Sequence, residues 1–154
     1  MDGRAVSPMV GAVLMVALTI VIAATMGVMV AHSEIDSQPP TARFSASAMA
    51  ATNTISITHE GGETIDPDAL SLQIRVAGTQ LDKQPPIPFF AATGFISGPT
   101  GPFNEATTDE WTAGETGSLQ IASTNTPTLT AGDRVECTLS VDGTVVAAVT
   151  TTAT

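Results

Sequence analysis

Residues 9–31 form an unbroken apolar run with no charge, and its only hydroxyls are those of Thr19 and Thr25. Wound as an α-helix at about 1.5 Å per residue, the run reaches roughly 35 Å, against about 30 Å for the hydrocarbon core of a bilayer. An ordinary secretory signal holds only about 7–15 apolar residues. The run is therefore too long for a typical cleaved signal. It is also too apolar on every side for the core helix of a soluble domain, which keeps a polar face. The expectation is a helix that enters a membrane at some stage. Arg4 precedes it, while Glu34 and Asp36 follow. Positive charge stays on the cytoplasmic side, so the C-terminal part is expected outside the cell.

The helix start has its own signals. Ser7 is a good N-cap, since its hydroxyl can accept from a free N–H of the first turn. Pro8 then takes the first helical position, where a missing N–H costs nothing. Small residues mark one stripe of the helix: Thr19, Ala23, Gly27 and Ala31 recur every four residues, with Gly11 near the start. Such a stripe lets helices pack closely in lipid. Alanine and glycine are also simply common in membrane helices, and both readings stand.

Ser37-Gln38-Pro39-Pro40 ends the helix, because proline removes backbone donors and disfavours helix before it. The residues divide into a helix over 6–36, a linker over 37–43 and a domain over 44–154. That last part, roughly 110 residues, is enough for one domain. Its pattern reads as β. Arg43-Phe44-Ser45-Ala46 opens a first strand. Residues 53–59, 118–122, 135–141 and 144–150 follow as strands, and over 70–76 Leu70, Leu72, Ile74 and Val76 alternate cleanly with polar neighbours. Asp142-Gly143 is a strong hairpin signal, since both residues tolerate positive φ. No helical period is sustained after Pro40. The fold class expected is α+β, a long hydrophobic N-terminal helix followed by an antiparallel, Ig-like β-sandwich.

Residues 84–110 break the pattern. Pro85-Pro86-Ile87-Pro88 and Ser97-Gly98-Pro99-Thr100-Gly101-Pro102 cannot be central strands, yet four of the chain's five phenylalanines fall here: Phe89, Phe90, Phe95 and Phe103. The plainer reading is a loop folded over an open end of the sandwich, with the aromatics as packing. The sharper one is a subunit contact or adhesive surface.

Little points to catalysis. Fifteen acidic residues against five basic ones leave a net charge of −10, which repels nucleic acid and offers no basic patch. Neither His32 nor His59 has a second histidine beside it, so no zinc site of the usual kind is expected, and His59-Glu60, with no nucleophile pattern, reads as ordinary turn polarity. Asp66-Pro67-Asp68 could touch a cation, but a turn cap is the simpler role. Cys137 is the single cysteine, so the domain has no internal disulfide. Its strand neighbours Val135, Leu139 and Val141 point to a buried, inert thiol. Asn53, Asn104 and Asn125 all lack the glycosylation sequon, while O-linked sugar stays open. No enzyme activity, cofactor or metal is expected.

Arg4-Ala5-Val6-Ser7-Pro8-Met9-Val10-Gly11, leading into the apolar run, resembles the N-terminus of archaeal type IV pilins, those of haloarchaea especially. The segment 57–65, Ile-Thr-His-Glu-Gly-Gly-Glu-Thr-Ile, is similar to a THxGGxxI stretch of haloarchaeal pilin-like proteins. Trp111-Thr112-Ala113-Gly114-Glu115 and Leu129-Thr130-Ala131-Gly132-Asp133 resemble their recurring turns. The resemblance implies a class III signal peptide, with residues 1–5 as leader. A prepilin peptidase would read Arg4 and Ala5 and cut before Val6, and the retained helix would become the core of a filament. It further implies other copies of the chain, an assembly ATPase and a membrane platform as partners, and an extracellular, adhesive pilus as location. Bacterial pilins carry glutamate at the fifth mature residue. Val10 stands there, a departure from glutamate that is usual for the haloarchaeal relatives, and cannot pair with a terminal amine.

Two other readings remain at this stage. One is a membrane-anchored extracellular domain that binds a ligand and never polymerises. The other is a conventionally secreted protein cut near Ala46-Ser47-Ala48.

Overall fold

The computed structural model describes residues 6–31, 38–107 and 110–154. The chain divides into two compact units, Met1–Gln38 and Pro39–Thr154. The first holds one helix, α1, Val6–Ala31, with no acidic residue in its first turn and no basic residue in its last. Ser7 and Pro8 lie within the described helix. Pro8 fits there because first-turn N–H groups have no partner within the helix. Of the helical stretch expected over 6–36, residues 32–36 lie outside the described residues, as do Arg4 and Ala5.

The second unit is all β apart from short 3₁₀ turns. Its strands are β1 Ala42–Met49, β2 Thr54–Gly62, β3 Leu70–Val76, β4 Thr79–Gln80, β5 Thr116–Gln120, β6 Arg134–Val141 and β7 Thr144–Thr152. They form two antiparallel sheets, ordered β1-β2-β5 and β4-β3-β6-β7. The chain is therefore α+β. Period-two alternation decides which face each strand buries. On β3, Leu70, Leu72, Ile74 and Val76 are buried; on β6, so are Val135, Cys137, Leu139 and Val141. Ile74 stands opposite Cys137. Both sheets give side chains to one buried cluster, which also takes Ile55 and Ile57 of β2 and Leu119 of β5. At one corner a parallel bridge joins Ala48 to Ala153, and Thr154 N–H donates to Ala48 O at 3.1 Å. The stretch Ala46-Ser47-Ala48 lies within β1, so a cut after Ala48 would remove nearly the whole strand, including the residue that makes this bridge.

The segment between β4 and β5 packs rather than extends. Phe89, Phe95 and Phe103 are buried, as is Ile87; Phe90 alone of the four phenylalanines is 58% exposed. Gly117 makes room: a Cβ there would lie 2.9 Å from the Phe103 ring. Two side-chain amides hold the loop as a neighbouring strand would. Gln84 Oε1 accepts from Ile74 N–H at 2.7 Å, while its Nε2 donates to Ile74 O at 3.0 Å. Asn125, buried, does the same for Lys83, with both contacts at 3.0 Å.

Candidate functional site

The helix is the first candidate. Every described side chain on it, over residues 8–24, is exposed. Met9 is 72% exposed, Leu14 65% and Ile20 63%. The Thr19 hydroxyl donates to Met15 O at 2.8 Å, which satisfies it within the helix. A Cβ added at Gly11 would meet nothing within 4 Å. Thr19 and Ala23 are open, while the side-chain surroundings of Gly27 and Ala31 lie outside the described residues. A shallow apolar groove does exist, but on a neighbouring face, lined by Ala12, Val13, Val16, Ala17 and Ile20. Over the residues whose side chains are described no helix is long and apolar enough to cross a membrane, and the uncharged run of the sequence, 9–31, extends beyond them. An apolar rod exposed on all sides has one chemical capacity, burial against lipid or against other apolar rods.

The second candidate is an aromatic cluster around His59. Sequence reading treats His59 as turn polarity, and the structure corrects this: it is fully buried. Ile55, Ile57 and His59 alternate along β2, so His59 takes the inward face. Its ring meets Phe44 edge-on, with centroids 4.9 Å apart, and lies 6.0 Å from Trp111, which in turn meets Phe103 at 5.3 Å. The missed signal was that alternation.

The three motif segments singled out in the sequence fall into a pattern. The first two form one structural unit. Ile65 and Trp111 exchange backbone hydrogen bonds at 3.1 and 2.8 Å, His59 N–H donates to Glu115 O at 3.0 Å, and Gly114 N–H donates to His59 O at 2.7 Å. The indole N–H of Trp111 donates to Glu115 O at 3.0 Å. The second and third segments are the same turn built twice. Glu115 N–H donates to Thr112 O at 3.2 Å, and Asp133 N–H to Thr130 O at 3.0 Å. Each acidic side chain accepts from the first residue's N–H, at 2.7 Å for Glu115 and 2.8 Å for Asp133. Gly114 and Gly132 supply φ of 94° and 95° at the third position, as a type II turn requires. The Thr112 N–H and hydroxyl hold the Glu115 carboxyl below the usual range.

Among the described residues no group of three or more His, Cys, Asp or Glu could hold a metal ion. Asp66 Oδ1 accepts from Asp68 N–H at 2.9 Å and caps a 3₁₀ turn. Cys137 is buried, and burial pushes its thiol up to about 12.

Comparison with known proteins bears on the first candidate. Residues 4–44 match the family model of the archaeal type IV pilin N-terminal domain. The match begins at Arg4, takes in the whole of α1 and ends at Phe44 in β1. No curated protein matches the chain.

Proposed function

We propose that this chain, which carries the N-terminal domain of an archaeal type IV pilin, is a structural subunit of a surface pilus and not an enzyme. The observation that carries the reading is a helix of 26 residues, apolar almost throughout and exposed wherever its side chains are described. Such a surface must be covered. At about 25 cal/mol per Å² of apolar area, leaving it in water would cost tens of kcal/mol. Before assembly lipid covers it: the uncharged run 9–31 is long enough to span, and Arg4 sets the N-terminus inside. A prepilin peptidase cuts between Ala5 and Val6. The helix then leaves lipid for a bundle of identical helices, with Gly11, Thr19, Ala23, Gly27 and Ala31 allowing close approach. Lipid and helix bundle are both apolar, so this transfer has little hydrophobic drive of its own and calls for an assembly ATPase and a membrane platform. The β unit, its two sheets facing each other as a sandwich, coats the filament outside and carries adhesion.

Mass spectrometry of the mature N-terminus, with electron microscopy of shed filaments, tests this. A chain beginning at Val6 within filaments is expected. A chain beginning beyond residue 31 overturns the reading. A chain found only in detergent extracts of the membrane favours instead a non-polymerising, membrane-anchored binding domain. Arg4→Ala is expected to leave the precursor uncut.

A further inference from the structure

We propose that residues 41–43 are a releasable strap: the Glu63 carboxylate latches them to the β unit, and their release lengthens the chain that leads in from α1. The use of the strap in a filament rests on the pilin reading above; its existence does not.

The latch replaces a missing rung. β1 and β2 pair as far as Ala42 opposite Gly62, so the next partners in the ladder are Thr41 and Glu63. Glu63 N–H does donate to Thr41 O at 2.9 Å. A regular antiparallel pair of this kind returns the bond through the second carbonyl. The Glu63 carbonyl is already taken, because His59 Nε2–H donates to it at 2.9 Å. The Glu63 side chain stands in for it, and Oε2 accepts from Thr41 N–H at 2.7 Å. Before Thr41 come Pro39 and Pro40, which have no N–H to give. Thr41 N–H is thus the first backbone donor of the β unit, and one side chain holds it.

The strap is weakly held elsewhere. Ala42 and Arg43 stand opposite Gly62 and Gly61, which offer no side chain for cross-strand packing. Thr41, Arg43, Gly62 and Glu63 are exposed and Ala42 is half-buried, the marks of a segment that opens apart from the whole. The register then shifts between Arg43 and Phe44. Phe44 is buried, with its ring centroid 4.9 Å from that of His59 and 4.9 Å from that of Trp111. Opening can therefore run from Thr41 to the bulge and stop at Phe44. The freed residues give about 10 Å of extra reach. Among the described residues, chain order makes the latch the first bond loaded when α1 is held and the β unit is pulled. In a filament held together by its helices, the strap lets a β unit that has gripped a surface yield before its fold does.

Full-length chain labelled with nitrogen-15 and dispersed in detergent tests the latch by amide hydrogen exchange. Thr41 is expected to exchange about tenfold faster in Glu63→Ala than in wild type, with the amides of β1 from Ser45 onward unchanged. Gly62→Ala should act by a second route, since a Cβ there would lie 2.3 Å from Thr41 O. Glu60→Ala removes an equal charge beside the bulge, where the carboxylate accepts from the Ser45 hydroxyl, and should leave Thr41 at the wild-type rate. Equal Thr41 rates in Glu63→Ala and wild type overturn the latch. Faster exchange along the whole of β1 in Glu63→Ala overturns the strap, because the segment then opens only with its strand. In filaments, Glu63→Ala is expected to keep ordered helices and blur the β units in electron cryo-microscopy; β units as sharp as those of wild type overturn the tether role. Wild-type chain that forms no filaments rejects the pilin reading and leaves the exchange result standing.

Discussion

His59 Nε2 lies 2.9 Å from the carbonyl oxygen of Glu63, and Nδ1 of the same ring is buried with no hydrogen-bond partner among the described residues. A carbonyl oxygen can only accept, so Nε2 carries the proton and Nδ1 holds a bare lone pair. Nitrogen-15 chemical shifts should therefore report the Nε2–H tautomer in the folded chain. His59→Phe should be nearly neutral. It keeps the packing on Phe44, loses one hydrogen bond and removes one stranded nitrogen, and the last two effects are each about 1–3 kcal/mol with opposite signs. His59→Ala loses packing and hydrogen bond together and should cost about 3 kcal/mol. The emission of Trp111, the only tryptophan, reads both unfolding curves. A His59→Phe variant as unstable as His59→Ala would sink the assignment.

Glu115 makes a pH-dependent contribution. Its carboxyl is held below the usual range, first by the Thr112 N–H and then by the Thr112 hydroxyl. A lowered folded-state pKa means that the unfolded chain takes up protons first as the pH falls. The stabilisation is thus fully present above the ordinary carboxylate range, near 4.3, and is lost as the pH drops through the lower folded value. Glu115→Gln should lower the melting temperature at pH 7 and flatten its decline below about pH 4.3. Acid limbs of equal slope in wild type and variant would refute this role for Glu115.

Much of this fold can be read along the chain, and what cannot has physical causes. Strand β3 is found at residues 70–76 because both its faces are unmixed. The apolar helix is plain from composition alone. β4 escapes because two residues hold no period. β1 runs longer than expected because Ala46 and Ala48 are weak markers of an inward face. His59 is misjudged when residue type is weighed above alternation. Sequence also cannot show that Ser56 neighbours Ser118, 62 positions away, because that depends on register between distant strands.

Two hairpins share one geometry with unequal sequences. Asp142 and Gly143 join β6 to β7 with φ of 49° and 81°, while Ala77 and Gly78 join β3 to β4 with φ of 50° and 80°. Positive φ at both central residues is the type I′ form, which favours Asn, Asp and Gly. Alanine has no side-chain oxygen to offset its crowding there and carries about 1 kcal/mol of strain. Ala77→Asn should therefore stabilise the fold by about 0.5–1 kcal/mol, and Gly143→Ala should destabilise it by about 1 kcal/mol. Denaturant midpoints with unchanged slopes would measure both. A destabilised Ala77→Asn would show that something other than backbone strain governs that turn.

Cys137 should be silent until the domain opens. It is 1% exposed on β6, opposite Ile74 and Val149, and burial pushes its thiol up to about 12. An unfolded thiol ionises near 8.5. The folded value is raised, so the contribution is fully present below that pH and is lost as pH rises toward 12. Few other groups blur the effect, since the chain has no tyrosine and Lys83 is its single lysine. At pH 8 a chromogenic disulfide should leave folded protein unmodified and react fully in denaturant, at a rate that follows global unfolding. Cys137→Ala should be less stable at pH 7, through the cavity it leaves, and should lose much of the decline in stability between about pH 8.5 and pH 10. Rapid modification of folded protein at pH 8 would place the thiol at an accessible edge instead of within the core shared by the two sheets.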